Sequence, residues 1–335
     1  MEFASLLHHR FEVLNGFAML KNTAQKLLGL CSLLLVSCAT LIAQPVHQIP
    51  QGYHEEIFSR FPVVRDIAIS PDGTECFFTA QSLLGELSVI VFMKCSDGKC
   101  SISGLAPFSG KFQDLEPSFS PDGLRLYFAS NRPAHPDSVH PKDYDIWYVQ
   151  RSNANTAWGA PVRINAPVNS EADEFYPVIT KSKNLYFTSN RTGSKGKDDI
   201  FVARWESDRY TEPVSVGGEV NSSGYEFNSW VAPDESYMVY TCYNREGGYG
   251  SGDLYVSRRV DGNWTSPENL GEYINSKQMD YCPLVHNGNL YFTSRRSGVR
   301  NTFLTQPTVL QVINEMQRYD NGAERIYFLR DAGIK

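Results

Sequence analysis

The chain reads as an all-β protein, a β-propeller most simply built of five blades with four antiparallel strands each. Three observations predict it. One phrase recurs in near copies, each copy holds a tight turn between two strand-like runs, and no copy is long enough to bury its own apolar face. The copies are EPSFSPDGLRLYFASNR from Glu116, FYPVITKSKNLYFTSNR from Phe175, FNSWVAPDESYMVYTCYNR from Phe227 and YCPLVHNGNLYFTSRR from Tyr281. A degenerate copy, RDIAISPDGTECFFTAQ, starts at Arg65. Turn centres at Asp72, Asp122, Ser182, Asp234 and Asn287 lie about 50–60 residues apart, longer than the ~40–45 of a simple four-stranded repeat.

Within a repeat the first strand is the apolar run before the turn, such as residues 117–120. The turn follows as Ser-Pro-Asp-Gly at 70–73 and 120–123: proline presets φ, aspartate caps, and glycine accepts positive φ. The second strand (124–130, 185–190, 237–243, 290–295) is rich in aromatic and β-branched residues, which suit a half-buried pleated surface. The third begins at Asp145, Asp199 or Asp253. The fourth follows an aromatic-x-x-Pro step, Trp158 to Pro161, Tyr210 to Pro213 and Trp264 to Pro267, and proline suits the start of an outer edge strand.

The Ser-Pro-Asp-Gly turns, the run LYFTSNR at 185–191 and the Asp-Ile-aromatic strands resemble the WD40-like PD40 repeats of the TolB-type β-propellers. The resemblance covers roughly residues 56 to 305. It implies the fold and a secreted or envelope-anchored setting, and it leaves function open, because propellers host unrelated activities.

Ring closure needs a partner for the last repeat, which lacks a fourth strand. Residues 56–61 (EIFSRF) offer one, joining the N-terminal end to the last blade. Residues 309–316 read as a short amphipathic helix. Residues 324–330 (ERIYFLR) read as one more strand, the basis of a six-bladed alternative. The propeller domain is expected over 52–335.

The chain has 335 residues and 13% aromatics, enough for one sizeable core, and its net charge of −6 with no basic run argues against a nucleic-acid surface. Residues 1–43 form a signal segment in which Met19 is the more ordinary start, followed by the apolar run 27–36. Cleavage after Ala43 would release the domain. The competing reading, LVSC at 35–38, would place a lipid on Cys38 and provide the one expected membrane attachment. Both put the domain in a periplasmic, outer-membrane-anchored or secreted bacterial setting, where disulfides form. Cys95 and Cys100 flank a tight loop and are the disulfide candidates; Cys76, Cys242 and Cys282 read as buried thiols. No CxxC pair occurs, and neither a metal nor another cofactor is expected.

Propeller geometry puts the first turns on one face and the second-to-third loops and inter-blade links on the other. That second face gathers Asn131 and Arg132, Asn190 and Arg191, Asn244 and Arg245, and Arg295 and Arg296. It also gathers the acids Glu116, Glu174, Glu226 and Asp280, with Tyr176 and Tyr249 near the rim. Recurrence in every blade favours mutual bracing. The competing reading is a polar funnel binding a protein or glycan, since arginine's planar fork suits carboxylates, including those of uronic acids. The loop 131–144, with His135, Asp137, His140 and Asp143, breaks the repeat and is a binding candidate; a metal there lacks a third ligand at fixed spacing.

A peptidase would need a G-x-S-x-G elbow, and none is present. The leading expectation is a binding module for a protein or polysaccharide, with catalytic residues unassigned. The alternative is a polysaccharide lyase or glycoside hydrolase, which would draw its acids from the same rim.

Overall fold

The computed structural model describes residues 48–135 and 140–334. The expected signal segment, Cys38 and Asp137 lie outside them. Chain order begins with β1 (Gln51–Gly52) and the single-turn helix α1 (Glu55–Phe58). Blade 1 is β2 (Val63–Ile69), β3 (Glu75–Gln81), β4 (Ser88–Ser96) and β5 (Lys99–Leu105). Blade 2 is β6 (Asp114–Phe119), β7 (Arg125–Ser130), β8 (Asp145–Gln150) and β9 (Val162–Arg163). Blade 3 is β10 (Glu174–Ile179), β11 (Leu185–Ser189), β12 (Asp199–Ala203) and β15 (Val214–Ser215), with a small hairpin of β13 (Trp205–Glu206) and β14 (Arg209–Tyr210). Blade 4 is β16 (Tyr225–Val231), β17 (Tyr237–Tyr243), β18 (Gly252–Val260) and β20 (Glu268–Asn269), with β19 (Asn263–Trp264) extending β18 as a hairpin.

Blade 5 closes the ring. It comprises β21 (Asp280–His286), β22 (Asn289–Ser294), β23 (Arg325–Leu329) and, as its outer strand, β1 from the other end of the chain. The innermost strands β2, β6, β10, β16 and β21 neighbour one another in turn, and β21 meets β2. Five blades of four antiparallel strands result, as the repeats imply.

Two expectations about closure are corrected. The run at 324–330 is the third strand of blade 5, reached across an insertion that contains α2 (Val309–Met316), so no sixth blade forms. The closing strand is Gln51–Gly52, paired with Phe328 and Tyr327, while residues 56–58 of the expected 56–61 strand belong to the helix Glu55–Phe58. The reason is packing. Ile57 and Phe58 must reach the same apolar layer, and a helical turn does this where an extended edge strand would point one of them outward. Phe58 is fully buried with its ring 4.9 Å from Phe78 of blade 1; Tyr53 lies 5.1 Å from Tyr291 of blade 5.

Apolar clusters fill the gaps between blades: Phe77, Ile90, Leu126 and Phe128 join blades 1 and 2, and Leu185, Phe187 and Tyr127 join blades 2 and 3. The Ser-Pro-Asp-Gly turns work as their residues require. The Ser70 and Ser120 hydroxyls donate to Asp72 and Asp122 at 2.6 Å, and Gly73 and Gly123 sit at φ 74° and 70°. A disulfide joins Cys95 and Cys100 across the β4–β5 hairpin; Cys76, Cys242 and Cys282 are buried free thiols.

Phe58→Ala removes the ring that seats the N-terminal end against blade 1. Its cost is expected near 3–4 kcal/mol in urea unfolding. A loss below about 1 kcal/mol would show that this end does not hold the ring closed.

Candidate functional site

Every innermost strand carries the same irregularity. Pairing with the second strand slips between Arg65 and Ile67, Leu115 and Ser118, Phe175 and Val178, Phe227 and Trp230, and Tyr281 and Leu284. At each bulge one residue adopts left-handed φ: Asp66 (53°), Glu116 (60°), Tyr176 (49°), Asn228 (50°) and Cys282 (52°). A bulge re-aims a side chain, and these five meet across the channel. Pro117, Pro177 and Pro283 follow three of them; a bulge is one of the few places inside a sheet where proline fits.

Glu116 is the hub. Its Oε1 accepts from the Arg65 guanidinium at 3.0 Å and from Asn228 Nδ2 at 3.2 Å, and its Oε2 accepts from the Tyr176 backbone N–H at 2.7 Å. One carboxylate of blade 2 thereby ties blades 1, 3 and 4. Blade 5 joins through the Tyr176 hydroxyl, which donates to the Pro283 carbonyl at 2.8 Å. Arg65 also holds Asp66 at 2.7 Å. Outside this hub, bulge N–H groups donate to threonines of neighbouring blades: Glu116 to Thr79, Asn228 to Thr188 and Asp66 to Thr293. Blade 2 has Ala129 at the threonine position, and there the Glu116 carboxylate takes the bond instead.

Burial, and the charge of Asp66 beside it, push the Glu116 carboxyl up to about 7 against the pull of Arg65. Burial likewise keeps the Tyr176 phenol protonated as a donor and the Cys282 thiol neutral. The network fills the channel and leaves a blind funnel above it, a cavity of about 390 Å³. Its mouth is formed by Pro71, Pro121, Lys181, Pro233 and Asn287, one from each first turn. Its walls include Phe119, Val178, Trp230 and Leu284, and its floor is Glu116, Tyr176 and Pro283.

The opposite rim is braced in a repeating way. Arg132 pairs with Asp114 at 2.5 Å, Arg191 with Glu174 at 2.8 Å, Arg245 with Glu226 at 3.7 Å and Arg296 with Asp280 at 3.0 Å. Each guanidinium also lies over an aromatic ring of its own blade, Arg132 over Phe128 and Arg296 over Tyr327 among them. The links contribute too. Asn169, Asn221 and Asn275 clamp the third strand of the preceding blade, while Ser170, Ser222 and Ser276 donate to Glu174, Glu226 and Asp280.

One register assignment is corrected. Asp114, not Glu116, stands in the row of Glu174, Glu226 and Asp280; Glu116 lies two residues on, at the bulge, as does Tyr176. Arg296 is the bracing arginine of blade 5, while Arg295 pairs with Glu324. Asn131 accepts from the Gln113 N–H and Asn190 from the Asp173 N–H. Asn244 and Tyr249 sit on the exposed β17–β18 loop, where Asp253 holds the Tyr249 N–H. His135 and His140 are exposed at either side of residues 136–139, which are not described. Among the described residues no group of three metal-ligating side chains occurs. The sequence reading missed Arg65, Asp66 and Asn228 and took Cys282 as a buried thiol without its place on the axis. The available signal was the proline that follows three of the five bulges, at 117, 177 and 283.

No family model matches the chain, and no curated protein matches it. Solved structures do. A glycoside hydrolase shares 9% identity over 79% of this chain and 86% of its own, at a TM-score of 0.50. A GH43 endo-arabinanase from Bacillus licheniformis shares 13% over 80% and 93%, at 0.49. TolB from Acinetobacter baumannii shares 13% over 80% of this chain, at 0.40, and the chain spans 56% of its length. At such identities the likeness concerns fold alone.

Glu116→Gln tests the hub through pH. The folded carboxyl keeps its proton to about 7, whereas an ordinary one loses it near 4.5. The wild type should therefore lose stability as pH rises from about 4.5 to 7, on the order of 3 kcal/mol, then level off. The variant should lack that slope in urea midpoints; identical slopes would contradict the assignment.

Proposed function

We propose that this chain is an extracytoplasmic binding module, and that the blind funnel on the turn face receives an apolar segment of a partner protein. The setting rests on the signal-like segment at 1–43 and on the disulfide between Cys95 and Cys100. The observation that carries the ligand class is the funnel's wall of proline, aliphatic and aromatic side chains above a polar floor already engaged in hydrogen bonds. A cavity of this size and lining seats a few apolar side chains. The opposite rim is the weaker candidate, because its arginines and acids pair with each other.

Hydrolase or lyase activity is the second reading, and one observation favours it. Glu116, with its raised carboxyl, lies on the funnel floor beside a second buried acid. Against it, both Glu116 oxygens are engaged in fixed bonds between blades, whereas a working acid must reach the substrate.

Selection from a displayed random-peptide library gives the test. Selected peptides should carry aromatic or aliphatic anchors and quench tryptophan emission saturably, a response that Trp230→Phe removes. They should lose at least about tenfold in affinity against Ser118→Trp, which fills the funnel. Peptides that bind Ser118→Trp equally well would end this reading. Polysaccharide turnover abolished by Glu116→Gln would replace it with the enzymatic one.

A further inference from the structure

A second site adjoins the funnel at Lys181, where the third repeat departs from the others. Blades 1 and 2 turn through Pro-Asp-Gly, but blade 3 turns through Lys181, Ser182 and Lys183. Lys183 sits at φ 62°, the conformation that Gly73 and Gly123 take in the first two turns. A lysine there is strained, and strain is retained where the side chain has a task. The fourth turn makes the comparison: Glu235 has φ 61°, and its carboxylate receives Thr180, Asn184, Tyr186 and Arg259, which explains its presence. Among the described residues no carboxylate pairs with the Lys183 ammonium, whose contact is the face of the Trp205 ring.

Lys183 and Lys181 face a cleft of about 670 Å³ between blades 2 and 3, with Arg125 on the other lip. A second cavity of about 720 Å³ continues it toward the outer edge and shares Arg125, Tyr127, Trp205 and Tyr210 with it. Arg125, Lys181 and Lys183 are exposed, and none forms an ion pair with a carboxylate among the described residues. Arg151, also in the cleft, is paired with Glu75. The upper cleft holds one acid, Asp122, whose carboxylate already accepts from Ser120 and Leu124. Asp234 feels Lys181 from the next turn without pairing with it. The outer cavity is mixed in charge, with Glu206, Asp208 and Glu212 beside Arg163 and Arg209.

Aromatic surface accompanies the cations. Lys183 Nζ lies 5.7 Å from the Trp205 ring, and the Arg125 guanidinium 4.9 Å from the Tyr148 ring. Trp205 is half-buried on the β13–β14 hairpin. Cations with no carboxylate ion pair among the described residues, two of them over aromatic rings, suit a ligand with both anionic groups and flat C–H faces, which a pyranose chain supplies. An acidic peptide would use the charges and leave the faces idle.

We propose that the trench between blades 2 and 3 binds an anionic saccharide chain, with its acidic groups on Arg125, Lys181 and Lys183 and a sugar ring on Trp205. The acidic groups are carboxylates or sulfates, and the probes separate them. The two sites share the lip residues Ser120, Pro121, Ile179 and Lys181, but Arg125, Lys183 and Trp205 lie outside the funnel, so binding there is independent of filling it.

The test is calorimetric titration of the full chain with oligogalacturonate, a sulfated oligosaccharide, a neutral oligosaccharide of similar length and oligoglutamate. Intrinsic tryptophan emission is followed in parallel, and because the chain has five tryptophans the response is assigned to Trp205 by its loss in Trp205→Phe. One anionic sugar should bind at least about tenfold more tightly than the neutral one, and added salt should weaken it. Whichever anionic sugar binds identifies the acidic group. Lys183→Gly is the decisive variant, since glycine suits that φ and leaves the fold at least as stable. It should lose about tenfold in affinity, as should Arg125→Gln, while Ser118→Trp binds unchanged. Absence of saturable sugar binding, equal binding of oligoglutamate, or unaltered affinity in Lys183→Gly would each overturn the proposal. Loss of binding in Ser118→Trp would overturn its independence from the funnel.

Discussion

A propeller has a hole along its axis, and the way this chain fills it governs everything else. Five side chains on five bulges meet there, and the Glu116 carboxylate ties its own blade to three others. Burying a carboxylate beside Asp66 is costly, and the cost is offset by one guanidinium and two N–H donors held by different blades. The arrangement works only if the ring is closed with the correct spacing. The axis thus acts as a specificity device as well as a glue. It also decides where ligands can go, because a plugged channel leaves a blind funnel instead of a pore.

The outer rim serves a different purpose through repetition. An arginine at the end of the second strand, an acid at the start of the first, and an Asn-Ser link recur from blade to blade. These groups face one another, and their partners lie within the same blade or its neighbour. Equal copies give equal braces. Chemistry that could recognise a particular molecule therefore sits where the copies disagree: at the lysine turn of blade 3, at the Trp205 hairpin and along the funnel wall. If both proposed sites are occupied together, the molecule would hold a protein on its axis and an anionic glycan at its flank.

Much of the fold was legible because turns and strand starts carry local signatures. Ser-Pro-Asp-Gly dictates its own geometry, and the aspartates heading third strands hold the preceding loop, as Asp199 does for the N–H groups of Lys195 and Gly196. What was hidden depended on distance or register. The third strand of blade 5 lies beyond an inserted helix, so local reading took it for the start of a further blade. The closing strand is two residues long and has no pattern to show. Asp114 and Glu116 stand two apart on one strand, and alternation alone gives both the same face; the bulge that separates a brace from a hub leaves only a following proline as its trace. The lysine turn shows in the sequence only as a departure from Ser-Pro-Asp-Gly, because a sequence shows the departure from a repeat but not the cleft that the departure lines.

Amide hydrogen exchange at the bulges tests the central claim most directly. The N–H groups of Asp66, Glu116, Tyr176 and Asn228 belong to four different blades, and each donates to a side chain of a neighbouring one. If the axis holds the ring as one unit, all four should exchange only through global unfolding, with a common free energy and the same denaturant dependence. Fast exchange at any of them, or one blade opening at a much lower free energy than the rest, would contradict it.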